Sequence, residues 1–172
     1  MKNPITPSSV EKVMREDDFI VSKTDASGRI TYGNRIFIEF SGYSERELLG
    51  SQHNIIRHPD MPRGVFKLLW DTIQGKQEIN AYVKNMARDG SFYWVFANVT
   101  PNYSRDGEIV GYTSVRRKPR TEAVRMMSEV YRTMLEIEKR VGPRDAMAAS
   151  QKYLFDLLAD KRVDYGEFIL SI

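Results

Sequence analysis

A chain of 172 residues with 41% hydrophobic and 28% charged residues has the profile of a soluble globular protein, one domain with length to spare. It contains no cysteine, which excludes disulfides, thiol nucleophiles, Cys-ligated metals and any cysteinyl adduct; its only histidines, His53 and His58, leave little for a multi-histidine metal centre. The net charge of +3 is a small difference between 26 basic and 23 acidic side chains, so a nucleic-acid partner is not expected. No apolar run approaches the roughly 18 residues of a membrane span and no signal peptide opens the chain, so a cytoplasmic location is expected.

Residues 1–18 are polar, with Pro4 and Pro7, and carry a short Val10, Val13, Met14 stripe after Ser8 and Ser9, which suits a small helix in an N-terminal cap. From Phe19 the pattern turns to period two, FIVSKTD then RITYGN about an Ala26-Ser27-Gly28 turn, a β-hairpin. Phe37, Phe40 and Tyr43 fit one short helix, and Ser44-Glu45-Arg46-Glu47 a capping box that starts a second, stopped by Gly50. His53 to Pro62 should be irregular or a single turn. Pro62 then opens a helix with Val65, Phe66, Leu69, Trp70 and Ile73 on one face, ended by Gly75. Three strands follow, near 78–87, 91–102 and 108–118, joined by turns containing Asp89-Gly90 and Asp106-Gly107.

The expected fold class is therefore α+β: a five-stranded antiparallel sheet with a helical arm on one face and a pocket between them. After Pro119 the period is helical again. Thr121 can cap a helix with a Val124, Met127, Tyr131, Met134, Val141 stripe; Gly142-Pro143 separates it from a second helix, and VDYGEFILSI stays unassigned. The division read from the sequence is a cap over 1–18, a sensor-like domain over 19–118 and a C-terminal helical hairpin or interaction segment over 119–172.

The order of elements, with TDASGRITYGNRIFIEFSGYSERELLG and NMARDGSFYWVFANVTPNYSRDGEIVGYTSVRRK, resembles a PAS domain. HNIIRHPDMPRGVFKLLWDTIQGK with YVKNMARDGSFYW is similar to the flavin-binding PAS domain of Aer-type aerotaxis receptors. The resemblance implies noncovalent FAD, with FMN or haem as alternatives, and a redox, oxygen or energy sensor in chemotaxis signalling rather than an enzyme. It further implies a homodimer and, because only residues 119–172 follow the sheet, a stand-alone form acting on a separate membrane chemoreceptor or HAMP-containing protein. Such a protein would be recruited to the inner membrane without inserting into it. A cofactor-free dimerisation module is the remaining alternative.

Flavin needs a flat apolar slot, an amide for its pyrimidine edge and, for FAD, donors for a pyrophosphate. Asn85 falls where flavin-binding PAS domains place that amide. Trp70 and Phe66 lie on the apolar face of the long helix, as ring contacts or as core. Arg57, His58 and Asp60 match the family motif: Arg57 as a phosphate ligand, His58 as a pocket or structural residue, Asp60 as a helix cap or an orienter of its neighbours. His53 and Asn54 are weaker candidates. Asn34 is a pocket contact or a helix cap, and Arg116 stands where light-oxygen-voltage domains carry a signalling glutamine, or is an exposed strand-end arginine. Alternation on the middle of the three last strands turns Val95, Ala97 and Val99 inward, with Ala97 leaving space under a ring, and Phe92, Trp94 and Phe96 outward, a face to be covered by the N-terminal cap, the C-terminal hairpin or a partner, with a dimer or receptor contact favoured.

Overall fold

The computed structural model describes residues 5–172; the first four residues of the expected cap lie outside it. Strand β1 (Ile20–Asp25) and β2 (Ile30–Gly33) form the first hairpin, with Gly28 at φ +83° in the turn. Short helices α1 (Arg35–Ser41) and α2 (Glu45–Leu48) follow; Ser44 caps α2 in the expected box, its hydroxyl accepting from Glu47 N while the Glu47 carboxylate accepts from Ser44 N. A single 3-10 turn (His53–Ile56) leads to α3 (Arg63–Gln74), then to β3 (Ile79–Met86), β4 (Phe92–Tyr103) and β5 (Ile109–Arg117). Three helices end the chain: α4 (Thr121–Val141), α5 (Ala146–Lys161) and α6 (Tyr165–Ser171).

The sheet is antiparallel throughout, in the order β2-β1-β5-β4-β3, so the first hairpin pairs with the last strand and β5 is central. The α+β class and five-stranded sheet are as expected. Period-two alternation sorts β4 into an inner face bearing Tyr93, Val95 and Ala97, all buried, and an outer face bearing Phe92, Trp94 and Phe96.

Three local expectations change. Residues 8–12 form no helix: the segment runs extended beside β4, with Phe92 N donating to Val10 O and Lys12 N to Phe92 O, and Met14 entering the core while Val10 and Val13 stay exposed. Pairing satisfies backbone groups that a one-turn helix would leave open at both ends. The outer aromatic face is covered by the C-terminal segment, one of the expected covers, rather than by the favoured dimer partner or receptor: Trp94 stacks on Tyr131 of α4 at 6.3 Å, and the Tyr131 hydroxyl donates to Tyr82 O at 2.7 Å. In α4, Thr121 is the first helical residue and makes no cap; the buried stripe is Ala123, Met127, Val130, Tyr131 and Met134, and it continues through Glu138 while Val141 is exposed. VDYGEFILSI supplies the third helix, capped by Asp164, whose carboxylate accepts from Glu167 N at 2.7 Å.

Candidate functional site

Between the inner sheet face and α3 lies a cavity of about 430 Å³. Its floor is Val83, Ala97 and Val99, and its helical wall is Phe66, Leu69 and Trp70. Ala97 sits directly across from Arg116 of β5, so the smallest floor residue adjoins the most polar one. The Trp70 ring meets Tyr112 edge-on at 5.5 Å and presses on the first hairpin, where a Cβ on Gly28 would come within 3.2 Å of its indole. That closeness, with the positive φ, explains a glycine at this turn.

The polar end is built from three elements. Arg116 is 3% exposed; its Nη2 donates to Ser22 Oγ of β1 at 2.6 Å and to His53 Nε2 of the 3-10 turn at 2.8 Å, while its Nη1 is buried with no partner among the described residues. Guanidinium nitrogens only donate, so His53 Nε2 accepts and the imidazole is the neutral Nδ1–H form. The imidazole stacks parallel to Phe37 at 5.8 Å, and the guanidinium lies over the same ring at 5.3 Å. No carboxylate pairs with Arg116 among the described residues. Burial pushes its pKa down to about 10, so it stays charged near neutral pH. Asn85, 4% exposed on β3, lines the same cavity, and its amide makes no hydrogen bond among the described residues.

Burial, and secondarily the Arg116 charge, push His53 down to about 3 from an ordinary 6.5. Between those values the unfolded chain binds a proton that the folded chain refuses, so folding stability is lost as pH falls from about 6.5 towards 3. At pH 5 the deficit is about 2 kcal/mol. Buried His58, also shifted down by burial, adds to the loss in the same direction. A His53→Gln variant is expected to lose less stability between pH 7.5 and pH 5 than the parent in urea unfolding; equal losses would mean that His53 titrates normally when folded.

Of the residues singled out in the sequence, Asn85, Trp70, Arg57, Phe66 and Arg116 line the cavity, and His58, Asp60 and Asn34 do not. The reason is the backbone bridge between Arg57 and Asn85, which pins the loop to the β3 edge. Beyond it, Arg57 lies over the Phe66 ring at 4.2 Å, while His58 packs edge-on against Phe92 of the outer face. Asp60 pairs with Lys84 at 2.7 Å on the surface. Asn34 caps α1, accepting from Phe37 N and Val21 N and donating to Phe19 O, which commits its oxygen and one N–H to the backbone. Exposed Asn54 also reaches the lining. Residues that sequence reasoning passed over are Ser22, readable as inward-facing from β1 alternation, and Arg63, Lys67 and Met147 at the mouth. Met147, on α5, has no local signal.

A profile described as the PAS fold matches residues 30–116. The chain belongs to the PAS fold family. This PAS domain is similar to part of the aerotaxis receptor of Escherichia coli K12, 36% identical over 121 residues that span 70% of this chain and 24% of the receptor. It is also similar to part of the nitrogen fixation regulatory protein of Klebsiella pneumoniae, 33% identical over 97 residues, 56% of this chain and 20% of that protein. The chain thus spans about a quarter or less of these relatives. Among solved structures, a light-oxygen-voltage domain studied with a flavin analogue superposes with a TM-score of 0.57 at 18% identity, covering 67% of this chain and 86% of the other. The dark state of the Aureochrome1 domain does so at 0.53 and 24%, covering 69% and 84%. These likenesses establish the fold. No helix among the described residues is long and apolar enough to cross a membrane.

Proposed function

We propose that this PAS domain is a redox sensor that binds FAD noncovalently in the cavity and signals the cofactor's state to a separate chemotaxis receptor or other output protein. The observation that carries the reading is Arg116 Nη1, a buried donor with no partner among the described residues, at the polar end of a cavity whose floor and helical wall are apolar. Native proteins rarely leave such a donor unmet, so it points to an acceptor on a ligand. A ring over Ala97 between floor and α3 would place its carbonyl-bearing edge between Arg116 and the free amide of Asn85, which offers both donor and acceptor. Arg57, Arg63 and Lys67 at the cavity mouth favour a ligand with a pyrophosphate tail, hence FAD over FMN. Aerotaxis receptor and nitrogen fixation regulatory protein, as named relatives, and a flavin analogue in a structural neighbour agree with this reading.

When bound, the flavin supplies a redox-dependent charge and hydrogen-bonding pattern. The chain's part is to hold the ring, exclude bulk water with the Trp70 wall, and meet the changing edge with Arg116 and Asn85, both fixed to strands. Coupling of about 1–3 kcal/mol between cofactor state and partner affinity suffices for a switch. Partner, dimerisation and recruitment to an inner membrane belong to this proposal. Haem is disfavoured by the donor set: His53 Nε2 already accepts from Arg116, and His58 turns away from the cavity.

The test is the absorption spectrum of the purified protein, with the released cofactor identified by mass. Oxidised flavin bands that disappear on reduction, with FAD released on denaturation, are expected, and Asn85→Ala should weaken FAD binding by about tenfold, the value of one good hydrogen bond to a buried group. A Soret band would point to haem, and a colourless protein that takes up no added FAD to a cofactor-free module; either ends this reading.

A further inference from the structure

Helix α3 carries the cavity wall on one face, yet nothing of its own caps its N-terminus: the cap position is Pro62, with no side-chain hydrogen bond. The cap comes from α4. Glu138, 8% exposed, accepts from Arg63 N at 3.1 Å and Gly64 N at 3.0 Å, and also from the hydroxyl of Ser150 on α5 at 2.7 Å. One carboxylate thus ties three helices together, a favourable placement of negative charge at a helix N-terminus. Arg63 adds a hydrogen bond from Nη1 to Pro143 O in the α4–α5 connection. The approach is close: a Cβ on Gly64 would fall 3.1 Å from the backbone nitrogen of Gln151. Across this joint, Met147 of α5 reaches the cavity beside Arg63 and Lys67, so the C-terminal helices supply part of the binding surface.

We infer that the C-terminal helices complete the binding site, Glu138 as the positioning residue that holds α3 and Met147 as a closing residue at the mouth, so that ligand occupancy and the docking of α4 and α5 stabilise each other. The inference rests on the reading of the cavity as the FAD site. A ligand that touches both α3 and Met147 binds the docked arrangement better than an undocked one, and by linkage the docked helices hold the ligand more tightly. Undocking would uncover Met127, Tyr131, Met134 and Leu154, together with the aromatic outer face of β4, in one apolar surface. Occupancy would then control whether that surface is available.

The experiment uses the full chain with FAD as the probe, reading amide hydrogen exchange over residues 146–161 and the FAD dissociation rate. Exchange in α5 should slow by about fivefold or more when FAD is added to the parent protein, and FAD should leave Met147→Ala and Glu138→Gln faster by a similar factor. Met147 is only partly buried, so its variant remains informative if Glu138→Gln unfolds. A merely structural role for these helices would leave α5 exchange indifferent to FAD. FAD binding with unchanged α5 exchange and an unchanged dissociation rate in Met147→Ala overturns the inference and leaves the FAD reading standing. Failure of the parent protein to bind FAD removes both.

Discussion

Replacing Arg116 by methionine is expected to leave the cofactor-free protein at least as stable as the parent, within about 1 kcal/mol or above it, while weakening FAD binding by tenfold or more. The two effects separate because of what surrounds the guanidinium. Among the described residues it is buried without a counter-ion, and its desolvation is offset by two hydrogen bonds from Nη2 and by the Phe37 ring. Removing a poorly compensated buried charge in favour of an apolar side chain of similar length is commonly neutral or stabilising. Its former partners are not stranded, since Ser22 Oγ already lies 2.9 Å from His53 Nε2 and can donate to it directly. The ligand, in contrast, loses a buried cationic donor that no protein group uses among the described residues. Urea unfolding of cofactor-free protein and equilibrium titration with FAD measure the two quantities. A loss of more than about 2 kcal/mol in stability with undiminished FAD affinity would show that Arg116 serves the fold and not a ligand. Arg116→Lys should bind FAD with intermediate affinity, because an ammonium keeps the charge but not the planar fork.

This pairing also shows which parts of the site could be read from the sequence. Strand alternation and the Asp-Gly turns at Asp89-Gly90 and Asp106-Gly107 were sufficient for β3 to β5, and with them for the inward direction of Ala97 and Val99. Helical spacing put Phe66 and Trp70 on the apolar face of α3, and the resemblance to flavin-binding PAS domains made them ring contacts and not only core. The partner of Arg116 did not: His53 lies 63 residues earlier, in a turn whose local pattern says nothing about where its ring points. Motif matches at Asn34, His58 and Asp60 were ambiguous for a physical reason. The same small polar residues that suit a ligand also satisfy backbone groups at element ends, and here Asn34 is committed to a cap and Asp60 to Lys84. Glu138 is the opposite case. In a helix rich in charges it reads as a solvated residue, and the heptad-like stripe pointed past it to Val141; only the unmet N–H groups of α3, more than seventy residues away, make its burial intelligible.

Gly64→Ala should therefore destabilise the protein by about 2–3 kcal/mol, more than a helical glycine-to-alanine change has any intrinsic reason to cost, since alanine is the better helix former by about 1 kcal/mol. The added methyl would lie 2.2 Å from Ser150 Oγ, 3.1 Å from Gln151 N and 3.3 Å from Met134 Cε. The hydroxyl can rotate away only by giving up its hydrogen bond to Glu138, and the backbone nitrogen cannot move without shifting α5. The damage should thus fall on the joint between α3 and the C-terminal helices: faster exchange in α5, with the strands little affected. Ser150→Ala removes the nearest clashing atom, so the double variant should be less destabilised than the sum of the two single changes, a coupling of about 1 kcal/mol in a double-mutant cycle. Strict additivity, or a Gly64→Ala protein stabilised as its helix propensity alone would dictate, would mean that α5 does not rest on α3 in solution. The cavity would then have lost the wall that Met147 provides, and Glu138 the helix end it caps.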